Sequence, residues 1–152
     1  MKRCVVLTFL FVVCLSLIGL SQTNQYQFLH LDIHKGLSHN EVNCIFKDKK
    51  GFMWIGTMSG LNRYDGYKFK IFKHDLRDTT TINDDYIANI LEGPEEKLWI
   101  QTRTGFNVYD PSTETFNRNA LSVLTAMGVK DASLKDIRKD KKGNYWFLSE
   151  LS

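Results

Sequence analysis

Proline and cysteine are scarce in this 152-residue chain, with two of the first and three of the second. Cys4 and Cys14 lie near the start, so Cys44 stands alone in the remainder and no disulfide framework can form there. Cys44 alternates with Val42 and Phe46, which suits a buried apolar role better than a reactive thiol. The four histidines (His30, His34, His39, His74) show neither metal-ligand spacing nor paired cysteines, so no metal site is expected. A nucleophile elbow, a phosphate loop and a dinucleotide fingerprint are all missing, and no cofactor is expected. Charge of neither sign dominates. The formal net charge of +3 falls to +1 without Lys2 and Arg3, which leaves no basic surface suited to nucleic acid. Beyond residue 20 no apolar run is long enough to cross a membrane.

The first apolar run has a separate meaning. Lys2-Arg3 precede an uninterrupted apolar-rich stretch from Cys4 to Leu20, and Gly19-Leu20-Ser21 offers small residues for cleavage before Gln22. This is the pattern of a secretory signal peptide over residues 1–21. A membrane anchor is the weaker reading, since 17 residues is the short end for a span. A lipid-anchored form would want a small residue directly before a cysteine, and Cys14 follows Val13.

What the sequence has is repetition. The run Asp48-Lys-Lys-Gly51-Phe-Met-Trp54-Ile-Gly-Thr57-Met-Ser-Gly60-Leu-Asn62-Arg-Tyr64-Asp65 returns in Leu98-Trp99-Ile100-Gln101-Thr102-Arg-Thr-Gly105-Phe-Asn107-Val-Tyr109-Asp110. Trp, Thr, Gly, Asn, Tyr and Asp recur at one offset of 45 residues, and Asp140-Lys-Lys-Gly143-Asn-Tyr-Trp146 opens a third copy. A fixed period of this size marks solenoids, propellers or arrays.

Within each copy, short alternating runs are separated by turn signals. Val42–Lys47, Phe52–Thr57, Leu61–Asp65 and Tyr67–Phe72 read as four strands, joined by Asp48-Lys-Lys-Gly51, Met58-Ser59-Gly60 and Asp65-Gly66. The second copy reads as Tyr86–Glu92, Leu98–Thr102, Phe106–Asp110 and Thr115–Asn117, with Gly93-Pro94-Glu95-Glu96 as its first turn. The third offers Leu134–Lys139 and Tyr145–Ser149, and Ala120–Met127 between copies two and three reads as a helical turn. Four short antiparallel strands per repeat make one propeller blade. The fold class is therefore all-β, a β-propeller: a blade over residues 36–73, a second over 82–117 and a partial one over 133–152. Tyr26–Leu31 resembles the fourth-strand run and reads as an outer strand that would close the ring against a last blade.

Gly36-Leu-Ser38-x-Asn40-x-Val42, followed by Asp48-x-x-Gly51-x-x-Trp54-Ile-Gly-Thr57-x-x-Gly60-Leu-x-Arg63-Tyr64-Asp65-Gly66, resembles the two-component-regulator propeller repeat. That repeat builds the periplasmic sensor region of hybrid two-component histidine kinases in gut-dwelling Gram-negative bacteria. The resemblance runs over about residues 26–149. It implies some two and a half blades of a seven-bladed propeller, a periplasmic location and a homodimeric, inner-membrane parent. It also implies an oligosaccharide-type ligand whose detection switches on polysaccharide-utilisation genes. The catalytic domains of such a parent are not in this stretch, so no enzymatic activity is expected of it. Gln101 departs from the repeat's glycine, and Phe147-Leu148-Ser149 replaces Ile-Gly-Thr. Two other readings compete: a piece of a propeller-fold carbohydrate-active enzyme, and a non-functional truncated remnant. The missing blades, or other propeller chains, are the expected partners of its uncovered faces.

Trp54, Trp99 and Trp146 could stack on sugars, but a side chain repeated in every blade is expected to pack between blades. Tyr64, Tyr109, Gly60 and Gly105 fall in the same structural class. Strand alternation puts the strand-two-to-three turns and the inter-blade connections on one face, and the tight Asp-Lys-Lys-Gly and Asp-Gly turns on the other. The first face then holds Met58, Ser59, Arg103 and Thr104 at turn tips, with His39, Asn40, Asp84 and Asp85 at the inner strand starts. These eight residues differ between repeats, as binding positions on a fixed scaffold do, and they are the candidate ligand contacts.

Overall fold

A computed structural model of the chain describes residues 27–129 and 134–149. The expected signal peptide, residues 1–21, lies outside the described residues, as does Tyr26. Among the described residues ten strands and one helix of more than one turn form, all in the compact unit Leu31–Ser152. The first sheet orders β1 (Val42–Lys47), β2 (Met53–Thr57), β3 (Gly60–Tyr64) and β4 (Phe69–Phe72) as neighbours in chain order, every pair antiparallel. The second repeats this with β5 (Ile87–Glu92), β6 (Leu98–Thr102), β7 (Gly105–Asp110) and β8 (Thr115–Asn117). Helix α1 (Ala120–Ala126) follows, then the hairpin β9 (Leu134–Lys139) and β10 (Tyr145–Ser149). The sequence reading placed these elements within about two residues of where they lie.

Three expectations need correcting or refining. Gln27–Leu31 form no ladder, and Phe28 is 95 % exposed. An extended segment becomes a strand only when a neighbour supplies hydrogen bonds, and the blade expected to do so is not among the described residues. In the second repeat the first turn is a short 3-10 turn over Pro94–Glu96, with Glu95 and Glu96 at φ 58. Blades 1 and 3 instead place Gly51 (φ 91) and Gly143 (φ 89) in the left-handed region, where glycine carries no Cβ penalty. Finally, Trp146 is 61 % exposed, unlike its two counterparts.

The reason lies in the direction of packing. Trp54 and Trp99 each point forward onto the following blade. Trp54 of blade 1 meets Tyr109 of blade 2 with ring centroids 4.9 Å apart and planes at 65°, and Trp99 of blade 2 meets Phe147 of blade 3 at 6.0 Å. Tyr109 points back onto blade 1, fully buried against Trp54 and Phe72 as well as Phe116 of its own blade. Trp146 has no following blade among the described residues, and Tyr64 no preceding one, so the first is exposed and the second half-buried. The two cores accordingly lie between blades. One joins Trp54, Leu61 and Phe72 to Ile82, Ile87, Leu98 and Tyr109; the other joins Trp99, Phe106 and Val108 to Leu124 and Ile137. Truncating a tryptophan so buried costs about 3–5 kcal/mol.

The inner strands also touch across blades. The register of β1 shifts between Val42 and Cys44, and the intervening Asn43 donates from Nδ2 to the Ile87 carbonyl of β5 at 2.8 Å. The same shift recurs in β5 between Ile87 and Asn89. Gly56 of β2 permits this approach: a Cβ there would lie 2.5 Å from Cys44 Sγ and 2.6 Å from Ile87 Cγ2.

Candidate functional site

Beneath the face that carries the β2–β3 and β6–β7 turns, called the upper face with the Asp48–Gly51 turn on the lower, runs a buried polar scaffold that repeats. In blade 1, Ser38 Oγ and Thr57 Oγ1 lie 2.8 Å apart, Asn62 Nδ2 donates to Ser38 Oγ at 2.8 Å, and Thr57 Oγ1 donates to the Gly60 carbonyl at 2.9 Å. In blade 2, Thr102 Oγ1 lies 2.8 Å from both Asn83 Oδ1 and the Gly105 carbonyl, which share its one proton, while Asn107 Nδ2 donates to Asn83 Oδ1 at 2.7 Å. The Ser38 and Asn83 amides complete each set by donating to Asn62 Oδ1 and Asn107 Oδ1. Thr57, Asn62, Thr102 and Asn107 are all buried, and a fully satisfied buried network fixes one geometry. It holds the β2–β3 and β6–β7 turns rigidly at the upper face. Gly60 (φ 129) and Gly105 (φ 126) recur because each of those turns ends in a backbone conformation that L side chains rarely adopt. The recurrence of Thr, Gly and Asn was visible in the sequence, but their mutual bonding was not.

The eight candidate contacts divide into two groups on this scaffold. His39, Asn40, Asp84 and Asp85 hold the backbone. His39 Nδ1 accepts the Glu41 amide at 3.0 Å, and Asp84 Oδ1 accepts the Tyr86 amide at 2.9 Å. Asn40 Oδ1 accepts the Ile33 amide at 3.0 Å, and Asp85 Oδ1 accepts the His74 amide at 2.7 Å. Paired positions 45 residues apart thus do the same job, bracing the chain as it enters each inner strand. Met58, Ser59, Arg103 and Thr104 form the second group at the turn tips. Met58 is 39 % exposed, Ser59 Oγ accepts from Lys73 Nζ at 3.2 Å, and the Arg103 guanidinium lies 5.0 Å from the Tyr86 ring centroid. Thr104 Oγ1 lies 3.4 Å from Thr102 Oγ1. Blade 1 joins the two groups: the Gly60 amide, next to Ser59, donates to the Asp85 carbonyl at 2.7 Å.

Two cavities between blades 1 and 2 are lined by other residues. One of about 90 Å³ opens on the lower face among Phe46, Lys49, Trp54, Glu92 and Tyr109. The other, about 450 Å³, runs along the outer rim past Lys73, His74, Asp75, Asp78, Thr80 and Glu114.

The lower face carries its own logic. Asp48 Oδ1 accepts the Phe52 amide at 2.9 Å, and Oδ2 accepts the Trp54 indole N–H at 2.8 Å. Asp140 does the same for Asn144 and Trp146 in blade 3, and the Asn144 side chain and amide hold its carboxyl down at about 2. The second repeat has Gly93 in that place, and the buried Trp99 Nε1 has no partner among the described residues. Acidic groups of blade 2 clamp its neighbours: Glu92 pairs with Lys49 of blade 1 at 3.0 Å and Lys139 of blade 3 at 2.9 Å, and Glu114 pairs with Arg63 at 2.7 Å and with Lys70. Lys139 first, and then Lys49, hold the Glu92 carboxyl below its ordinary range. Burial pushes the Cys44 thiol up to about 11, as its expected apolar role requires.

Among the described residues no group of three or more His, Cys, Asp or Glu side chains is arranged to hold a metal ion, and no helix is long and apolar enough to cross a membrane.

Residues 36–59 match the two component regulator propeller family. Over 63 residues, 41 % of this chain, the sequence is 38 % identical to Histidine kinase P4 of Formosa agariphila. The fold is similar to the extracellular domain of a hybrid two component system of B. thetaiotaomicron, with a TM-score of 0.61 and 27 % identity over 81 % of this chain. It is also similar to the extracellular domain of a one component system of that organism, with a TM-score of 0.54 and 25 % identity over 82 % of this chain. The chain spans 5 % of the kinase's length and 18 % of each of those two solved chains. Residues 36–59 are thus similar to the two component regulator propeller family, and the blades resemble those of extracellular domains of hybrid two component and one component systems.

Proposed function

We propose that this chain forms part of the ligand-sensing propeller of a hybrid two-component histidine kinase, exported by a signal peptide over residues 1–21 and acting in the periplasm. Its ligand is a glycan-derived oligosaccharide, and the output is control of polysaccharide-utilisation genes. The parent is a homodimer anchored in the inner membrane. The observation that carries this reading is the upper face, where one buried Ser/Asn–Thr–Asn scaffold per blade presents turn tips of differing chemistry, Met58-Ser59 in one and Arg103-Thr104 in the next. Constant support with variable tips is how binding surfaces are built on rigid folds. Arg103, stacked on Tyr86, offers both an aromatic platform and a fork of donors for sugar hydroxyls. Asn40 belongs with the braces, so its loss acts through the loop it holds.

The test is calorimetric titration of the natural full-length gene product with neutral, uronic-acid-bearing and sulfated oligosaccharides. Saturable binding that weakens on Arg103→Ala is expected. Unchanged affinity in both Arg103→Ala and Asn40→Ala would remove the upper face from the site, and no binding across the panel would remove the oligosaccharide reading.

A further inference from the structure

We infer that Arg118 is the positioning residue of the upper face: it locks the connection between blades 1 and 2, and through Asp85 it fixes the turn that carries Met58 and Ser59. Its role in binding rests on the function proposed above. The connection runs from Lys73 to Tyr86, too long to order itself through regular ladders, and it contains neither helix nor strand.

Arg118 follows β8 of blade 2 and reaches back over this segment. Its Nε donates to the Thr81 carbonyl at 2.7 Å. One terminal nitrogen lies within hydrogen-bond distance of the Asp75 carbonyl at 2.9 Å, the Asp78 carbonyl at 2.7 Å, Thr81 Oγ1 at 2.7 Å and His74 Nδ1 at 3.4 Å, and its two hydrogens are shared among them. The guanidinium therefore gathers three loop carbonyls that lie outside any strand ladder, with Nε and one terminal nitrogen held in a single plane, a fixed spacing that a flexible ammonium does not present. Thr81 closes the loop on itself, because its Oγ1 accepts the Asp75 amide at 3.0 Å. Nearby, the Phe116 amide of β8 donates to the Thr80 carbonyl at 2.7 Å, so blade 2 supplies both anchors.

The ordering passes inward. Ile82, next to Thr81, is fully buried in the core between the blades. His74 Nδ1 lies 2.8 Å from the Ile82 carbonyl, and the His74 amide donates to Asp85 Oδ1. The Asp85 carbonyl then accepts the Gly60 amide at the end of the Met58-Ser59 turn. Arg118 touches none of the candidate contacts, yet the position of two of them, Asp85 and Ser59, follows from it.

Arg118→Ala, Arg118→Lys and Thr81→Val in the full-length product provide the test, read by amide exchange of peptides containing His74 and Gly60 and by tryptic cleavage after Arg77. The binding probe is the oligosaccharide from the calorimetric panel that binds the unmodified protein most tightly. Faster exchange and cleavage are expected in Arg118→Ala, with affinity at least about tenfold weaker, the loss that goes with having to order one further backbone residue on binding. Arg118→Lys keeps the charge but not the fork, so it should fail to restore affinity. The probe should restore protection at Arg77 in Arg118→Ala, by linkage between loop order and binding. Thr81→Val, a milder change, keeps the test valid if Arg118→Ala does not fold. Unchanged exchange at His74 and Gly60 in Arg118→Lys and Thr81→Val overturns the inference, as does loosened exchange with unchanged affinity. If no oligosaccharide binds the unmodified protein, the function proposed above fails on its own, and exchange alone decides whether Arg118 positions this face.

Discussion

The three repeat tryptophans give a graded prediction, because their indole N–H groups have three different fates. Trp54 is buried and bonded to Asp48; Trp146 is bonded to Asp140 but exposed; Trp99 is buried and has no acceptor among the described residues. In Asp48→Ala the buried Trp54 N–H is left without a partner, which costs about 1–3 kcal/mol, and the bond to the Phe52 amide adds about 0.5–1.5 kcal/mol. In Asp140→Ala water replaces the acceptor at an exposed indole, so the loss is far smaller. Gly93→Ala fails for another reason: its Cβ would fall 2.2 Å from Trp99 Cδ1 and Nε1, in the space that the ring now fills. Overpacking of that kind costs about 1–3 kcal/mol. Native-state amide exchange on peptides spanning β2, β6 and β10 reads each blade's opening free energy separately. The expected order is Asp48→Ala and Gly93→Ala well above Asp140→Ala. A double-mutant cycle of Asp48→Ala with Trp54→Phe should show coupling. Equal effects of Asp48→Ala and Asp140→Ala, or a zero coupling energy, would refute the reasoning.

Acid should loosen the clamp that Glu92 makes with Lys139 and Lys49. Its folded pKa is lowered, so its contribution is complete above the ordinary glutamate value of 4.5 and is lost as pH falls through the lowered one. Glu92→Gln should therefore melt lower at neutral pH and lose less on acidification; parallel melting curves would contradict this. Cys44, with its thiol pushed up to about 11 by burial, should react with a disulfide reagent at pH 8 only after unfolding, and rapid labelling of the folded protein would count against it. Residues 22–152 produced alone should self-associate, because the Trp146 face of blade 3 and the Tyr64 face of blade 1 lack the neighbours that cover Trp99 and Tyr109. A sharp monomeric peak in size-exclusion chromatography with a cooperative melt would speak against that.

Strand placement was legible because each strand carries its own alternation and each turn its own punctuation, from Asp48-Lys-Lys-Gly51 to Asp65-Gly66. The packing of Trp54 and Trp99 followed from their recurrence alone. What recurrence could not show is direction: only the structure shows that Trp faces forward and Tyr back, which is why Trp146 and Tyr64 depart from their counterparts. The role of Asp48 was equally hidden, since a turn-forming aspartate and an indole acceptor look alike in sequence. The substitution at Gly93 was the available clue. On the upper face, topology grouped turn tips with inner strand starts, but it could not separate Arg103, at a tip, from Asn40 and Asp85, which brace backbone amides. Arg118 lies outside the repeat motif and bonds to residues some 40 positions earlier, so no local pattern points to it.

The measurement that bears most directly on the central claim is the size and location of the native gene product, taken by immunoblot of membrane and soluble fractions with an antibody to residues 36–117. A membrane-anchored polypeptide many times longer than this chain, carrying a histidine kinase domain, is the predicted result. A soluble product that ends at Ser152 would contradict the account.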